Sequence, residues 1–254
     1  MIVAVPMELP SESQIGNWLR DVYIAADGAE LRREDHKKAA ELVALLPEIA
    51  RALPRGRGAP TLVDAAAGKA YVGLLAARAI LEPAGRRGRV VAIERDARRV
   101  EACRAAAERL ALRGIEVECV AGDVADPALW PEAPALVVAL HACGPAAGAV
   151  IDGAIAARAK RVLLVPCCTR RDEAAEALAE RAGMPRHAGV RRRFVEAVID
   201  GERTLRLEAA GYETEVVAFV PPSVTPYNLL WRARFVGEPG RMRDAATRLR
   251  TLRP

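Results

Sequence analysis

The sequence predicts an α/β fold built on an open, mostly parallel sheet. Three observations point there. From residue 61 onward, apolar runs of strand length alternate with stretches of helical periodicity. Three of those runs end in a carboxylate (Asp64, Glu94 and Asp123) at nearly even spacing. The first leads through a turn of small residues, TLVDAAAGKAYVG (61–73), straight into an apolar helix. Such a strand–turn–helix is a Rossmann-like ligand cradle. Small residues let the backbone approach a ligand, and the helix start offers N–H groups with no partner inside the helix. The carboxylates at the strand ends are then placed to accept from ribose hydroxyls and an adenine amino group.

The elements follow in order. SESQIGNWLRDVY carries apolar residues at 15, 18, 19 and 23, one helical face. A second helix runs through DHKKAAELVALLPEIARAL, with Pro47 as a possible kink site, and PRGRGAP (54–60) is a loop. Strand 61–65 precedes helix 69–82, strand 89–94 precedes helix 96–112, and strand 115–121 follows. Strand 135–141 precedes helix 147–158, and strand 161–166 precedes helix 172–183. Residues 194–211 read as a helix ending at Gly211. TEVVAFV (214–220) and NLLWRARFV (228–236) have no helix between them and are expected to pair antiparallel. Residues 240–254 read as an Arg-rich helix with a solvated surface. This divides the chain into a helical extension or lid (1–58), a main domain (59–238) and a basic C-terminal helix or tail (239–254).

Composition sets the bounds. The 254 residues are 52% hydrophobic and 28% charged, which suits a folded globule. Aromatic residues are only 4%, so stacking platforms for bases are scarce. The net charge is +5, carried almost wholly by Arg, since Lys occurs only at 37, 38, 69 and 160. A compositional preference for Arg explains this, and so does an anionic substrate. No run reaches the ~18 apolar residues of a membrane span, and residues 1–13 lack the pattern of a signal peptide. Five cysteines (103, 119, 143, 167, 168) in a chain with a full core point to reduced thiols and the cytoplasm.

The turn after the first strand discriminates between cofactors. A dinucleotide enzyme usually keeps G-x-G-x-x-G there. This chain has Asp64, Ala65, Ala66, Gly68 and Ala70, so the turn is expected to keep ordinary dihedral angles. Missing glycines tell against a pyrophosphate more than against S-adenosylmethionine (SAM), which has no phosphate. LHACGPAAGAVIDGAI (140–155) with VLLVPCC (162–168), DHKKAAEL (35–42) and TPYNLLWRARF (225–235) carry a resemblance across residues 35–236. The chain resembles the family of methyltransferase domains found in a tRNA 2′-O-methyltransferase and in GSTCD-like and methyltransferase-like proteins. That family shows D-x-G-x-G-K-G after strand 1, [HL]-x-C-G-x-x-T-D after strand 4 and Cys-Cys after strand 5. Here Ala66 and Ala70 replace two glycines, and Ala147-Gly148 stand for Thr-Asp. The resemblance implies a Rossmann-like seven-stranded class I methyltransferase sheet with an N-terminal helical extension, five parallel strands and a terminal hairpin. It implies SAM as cofactor and RNA, tRNA-like, as substrate. A small-molecule methyltransferase and a non-catalytic SAM-binding module are the alternatives.

The residues expected to line the cofactor are Asp64, Ala65, Ala66, Gly68, Tyr71, Glu94, Arg95, Asp123, Val124, Leu140 and His141. Those expected on the substrate side are Lys37, Lys38, Cys143, Cys167, Cys168 and Asn228. His141, Cys143, Cys167 and Cys168 fall at the carboxyl ends of neighbouring strands, the ligand edge of such sheets. A soft metal site and a cysteine nucleophile are both open, but the expected role is packing beneath the methionine moiety with no metal. His141 is the one histidine at that edge and the candidate base for a hydroxyl acceptor. His36, His187 and Arg191–Arg193 are expected on the surface.

Overall fold

The computed structural model describes residues 8–24, 30–56, 58–166 and 172–252. Its centre is a seven-stranded sheet in the order β3-β2-β1-β4-β5-β7-β6. The strands are β1 (Thr61–Ala65), β2 (Gly88–Glu94), β3 (Ile115–Ala121), β4 (Leu136–Leu140), β5 (Arg161–Val165), β6 (Tyr212–Ala218) and β7 (Leu229–Phe235). β1 to β5 are parallel, and β7 runs antiparallel to both β5 and β6. The fold expectation therefore holds in full. The chain order reverses between β1 and β4, so the crevice at their carboxyl ends is the topological switch point of the sheet.

Helices cover both faces. One face takes α1 (Glu12–Leu19), α2 (Arg33–Ala52), α3 (Tyr71–Ala76) and α4 (Ala97–Leu110). Ile15, Leu19, Leu42, Leu45, Leu46 and Ile49 are fully buried there with Leu62, Leu136 and Leu163 of the sheet. Ser11 caps α1 through a reciprocal box with Gln14. The other face takes α5 (Pro145–Ala156) and α7 (Ala188–Ala209), which cover Val63, Val137, Val162 and Trp231. α6 (Glu173–Arg181) and α8 (Pro239–Leu252) pack on α7.

Several local expectations are corrected. The helix after β1 is α-helical only over Tyr71–Ala76 and continues as a wider π turn over Ala77–Leu81. α7 starts earlier than the apolar pattern suggested, because Arg191 on its first turns is bound by Glu176 and Glu180 of α6 and is only partly exposed. The thiols are also not all reduced. Cys103 of α4 and Cys119 of β3 form a disulfide, and Cys143 is disulfide-bonded as well. Cysteine count alone could not reveal a helix and strand stacked closely enough to join them. Among the described residues, no helix is long and apolar enough to cross a membrane.

Candidate functional site

The turn after β1 does not keep ordinary dihedral angles. Ala66, Gly68 and Ala70 all adopt left-handed backbone, with φ of 54°, 60° and 58°. Two alanines thus sit where glycine is the unstrained choice, each at a cost of about 1–2 kcal/mol. Specific bonds enforce the shape. Ala67 N donates to Ile93 O, and Gly68 N donates to Glu94 Oε2 at 2.8 Å. From below, Asp64 Oδ2 accepts from Gly73 N at 2.7 Å. Gly73 is needed at this spot, because a Cβ would lie 2.9 Å from Val90 and 3.0 Å from Asp64 Cβ. Asp64 is 1% exposed, so it braces the turn, and burial raises its pKa to about 7. Ala65 is buried beneath the turn, while a side chain at Gly68 would meet open space.

Beside the turn, Glu94 ends β2, buried, with Oε1 accepting from Asp96 N at 2.9 Å. Its carboxylate therefore ties the β1 turn to the start of α4. Arg95, next in the chain, is exposed. Asp123, after β3, is exposed and accepts from Ala125 N at 2.9 Å. Val124 is buried, and its carbonyl accepts from Trp130 Nε1. Thus Gly68, Glu94 and Asp123 occupy successive strand ends along one edge.

β4 ends in the half-buried Leu140, and His141 follows with φ of 65°, a third strained non-glycine position at this edge. Its amide donates to Val165 O, and its ring Nε2 lies 2.8 Å from Glu41 Oε2. Glu41 projects from α2 and is 1% exposed, and its other oxygen has no partner among the described residues. The sequence reading missed Glu41. The signal was available: an acid on the buried face of α2, one helical turn before Leu45. Three residues earlier, Lys38 lies 4.1 Å over the Tyr71 ring, and burial lowers its pKa. Tyr71 packs in turn on Tyr23, with ring centroids 4.3 Å apart. Burial pushes the Tyr71 hydroxyl up to about 12, so it stays a neutral donor.

The expected substrate residues are more scattered. Lys37 points outward, whereas Lys38 faces the site. Asn228 donates from Nδ2 to Val220 O at 2.7 Å and so closes the β6–β7 loop. Cys143 is exposed after β4, and Cys167 and Cys168 lie outside the described residues. His36 and His187 are exposed. Among the described residues no three His, Cys, Asp or Glu side chains converge as metal ligands. Past the end of β5 a cavity of about 310 Å³ opens against α7, lined by Pro166, Asp200, Arg203, Tyr227 and Trp231. A larger hollow of about 570 Å³ lies on the open charged face of β5, β7 and β6, away from this edge.

A sequence family described as "Methyltransferase domain" matches residues 35–174, starting inside α2 and ending past β5. No curated protein matches the chain. The magnesium protoporphyrin IX methyltransferase of Synechocystis PCC 6803, solved with bound SAH, superposes with a TM-score of 0.50 at 12% identity over 87% of this chain and 93% of that one. Aeropyrum pernix fibrillarin, solved with bound SAM, aligns with a TM-score of 0.45 at 19% identity over 78% and 74%. A SAM-dependent methyltransferase of Aquifex aeolicus aligns with a TM-score of 0.46 at 14% identity over 82% and 100%.

Proposed function

The chain belongs to this family of methyltransferase domains and is a SAM-dependent methyltransferase, and we propose that it methylates RNA, a tRNA-like molecule, at a ribose hydroxyl. One observation carries the reading: the β1 turn, Glu94, Asp123 and His141 share the carboxyl edge at the switch point, within the span of the family match. The donor set suits SAM. Open space above Gly68 admits a ligand against bare backbone, and the Glu94 and Asp123 carboxylates are acceptors for the ribose hydroxyls and the adenine amino group. SAM brings a methyl already activated by its sulfonium, so the protein must supply alignment and a dry site. His141 would remove the acceptor's proton. α1 and α2 act as the helical cover of this edge, residues 59–238 as the catalytic domain and α8 as a basic C-terminal helix. RNA as acceptor draws support from the +5 charge carried by Arg and from the HACG and PCC motifs, which carry the resemblance to a tRNA 2′-O-methyltransferase family. An RNA substrate also suits a cytoplasmic enzyme.

The 310 Å³ cavity beside Trp231 favours a second reading, a small acceptor molecule. Incubation with methyl-labelled SAM and separate RNA, protein and metabolite extracts decides between them. Label in RNA, with retention falling steeply as salt rises, is the expected result. Label confined to metabolites overturns the RNA reading.

A further inference from the structure

Glu41 is a carboxylate where the surrounding sequence calls for an apolar side chain. Its neighbours Leu42, Leu45 and Leu46 are fully buried in the helix–sheet core, and Glu41 is buried with them. A carboxylate in such a place loses hydration, which only a partner can offset. Its hydrogen-bond partner is His141 Nε2, at 2.8 Å. His141 meanwhile holds a left-handed backbone that costs a residue with a Cβ about 1–2 kcal/mol. A buried carboxylate and a strained backbone, on elements far apart in sequence, thus meet in one contact that orients an imidazole at the ligand edge.

We propose that Glu41 is a positioning residue for His141. The inference rests on the reading of His141 as the base for a hydroxyl acceptor. An ionised carboxylate can only accept, so the neutral ring must present its N–H from Nε2. That tautomer puts the basic lone pair on Nδ1. The acceptor's O–H proton passes to Nδ1, and the oxygen's electron pair forms the new bond to the methyl carbon as that carbon's bond to the sulfonium breaks, the sulfur keeping the pair and leaving as a neutral thioether. The imidazolium so formed stands beside the Glu41 carboxylate and is stabilised by it. α2, upstream of the sheet, thereby becomes part of the catalytic apparatus.

Two measurements test this. Nitrogen-15 spectra of histidine-labelled protein without cofactor, assigned with His141→Ala, should show His141 fixed with its proton on Nε2. A proton on Nδ1, or the tautomer mixture of a solvated ring, overturns the proposal. This readout needs only the wild-type fold, so it holds even where Glu41→Gln fails to fold. The second measurement is single turnover with methyl-labelled SAM and a transcribed, unmodified tRNA pool. Glu41→Gln should slow the rate roughly 10²-fold, with SAM affinity within threefold of wild type, and cost nothing further in a His141→Ala background. Full additivity of the two losses overturns the proposal, since a purely structural Glu41 would act independently of the histidine. Wild-type label found only on base nitrogen or carbon sinks the hydroxyl reading itself, even where the spectra still show Glu41 fixing the ring.

Discussion

β1 and β6 belong to one sheet, yet they obey different rules. β1, TLVDA, is covered on both faces: Leu62 joins the α2 side of the core, and Val63 joins the α5 side. β6, YETEVVA, buries Tyr212 on one face and turns Glu213 and Glu215 outward on the other, paired with Arg234 and Arg232 of β7. Connectivity causes the difference. Parallel strands need crossover helices, which roof both faces, so a central strand reads as an unbroken apolar run. A hairpin strand arrives through a loop, leaves one face open and alternates. Within its central strands, the buried carboxylates Asp64 and Glu94 sit toward the carboxyl ends, where the chemistry sits. The open region carries many charges, and each matters little.

Substitutions can break that contrast. Leu62→Ala should lose about 2–5 kcal/mol in urea unfolding. Val216→Ala on β6, at an exposed position, should stay within about 0.5 kcal/mol. Equal losses would dissolve the distinction between the two strands.

A second contrast is with pH. The pKa of Asp64 rises from 3.8 to about 7 in the fold, because burial disfavours its charge. Between those values the folded state binds more protons than the unfolded one, so this group's contribution to stability falls as pH rises. Asp64→Asn should gain on wild type across that window, by up to about 4 kcal/mol at neutral pH. Melting curves at pH 4 and pH 7.5 give the difference. An unchanged gap between variant and wild type would mean that Asp64 is not paying for its burial.

A third test sits on the rim of the covered region. Glu94→Ala should weaken SAM binding by about 1.5–3 kcal/mol, because it removes a charged acceptor and frees Gly68 N. Calorimetry showing unchanged affinity would remove Glu94 from the site. The smallest effect belongs to the open face. Arg234→Ala should cost about 0.2–1 kcal/mol, less at high salt, because both partners are largely exposed. A loss above that range would show the charge ladder acting as a cooperative network.

The strands, their order and the hairpin were legible because burial on two faces, or on one, leaves different apolar periods in sequence. The landmark acids Glu94 and Asp123 were legible as strand-end residues. What could not be read was three-dimensional commitment. The geometry of the turn followed from bonds made by Glu94 and Asp64, and these overrode the preference of alanine for negative φ. The Glu41–His141 contact joins residues on α2 and after β4, which no local pattern connects. Cys103 and Cys119 meet only because α4 lies against β3.

The strand order also has a consequence during synthesis. β1 pairs with β2 on one side, but its other edge waits for Leu136–Val138 of β4. A nascent chain that has released only β1, β2 and β3 therefore exposes an unpaired hydrogen-bonding edge carrying Leu62 and Val63, with Asp64 as the one charge on that strand. Until β4 emerges from the ribosome, that edge is open to another nascent copy or to a chaperone. The finished sheet, by contrast, ends in β3 and β6, both of which carry exposed or half-exposed glutamates along their length.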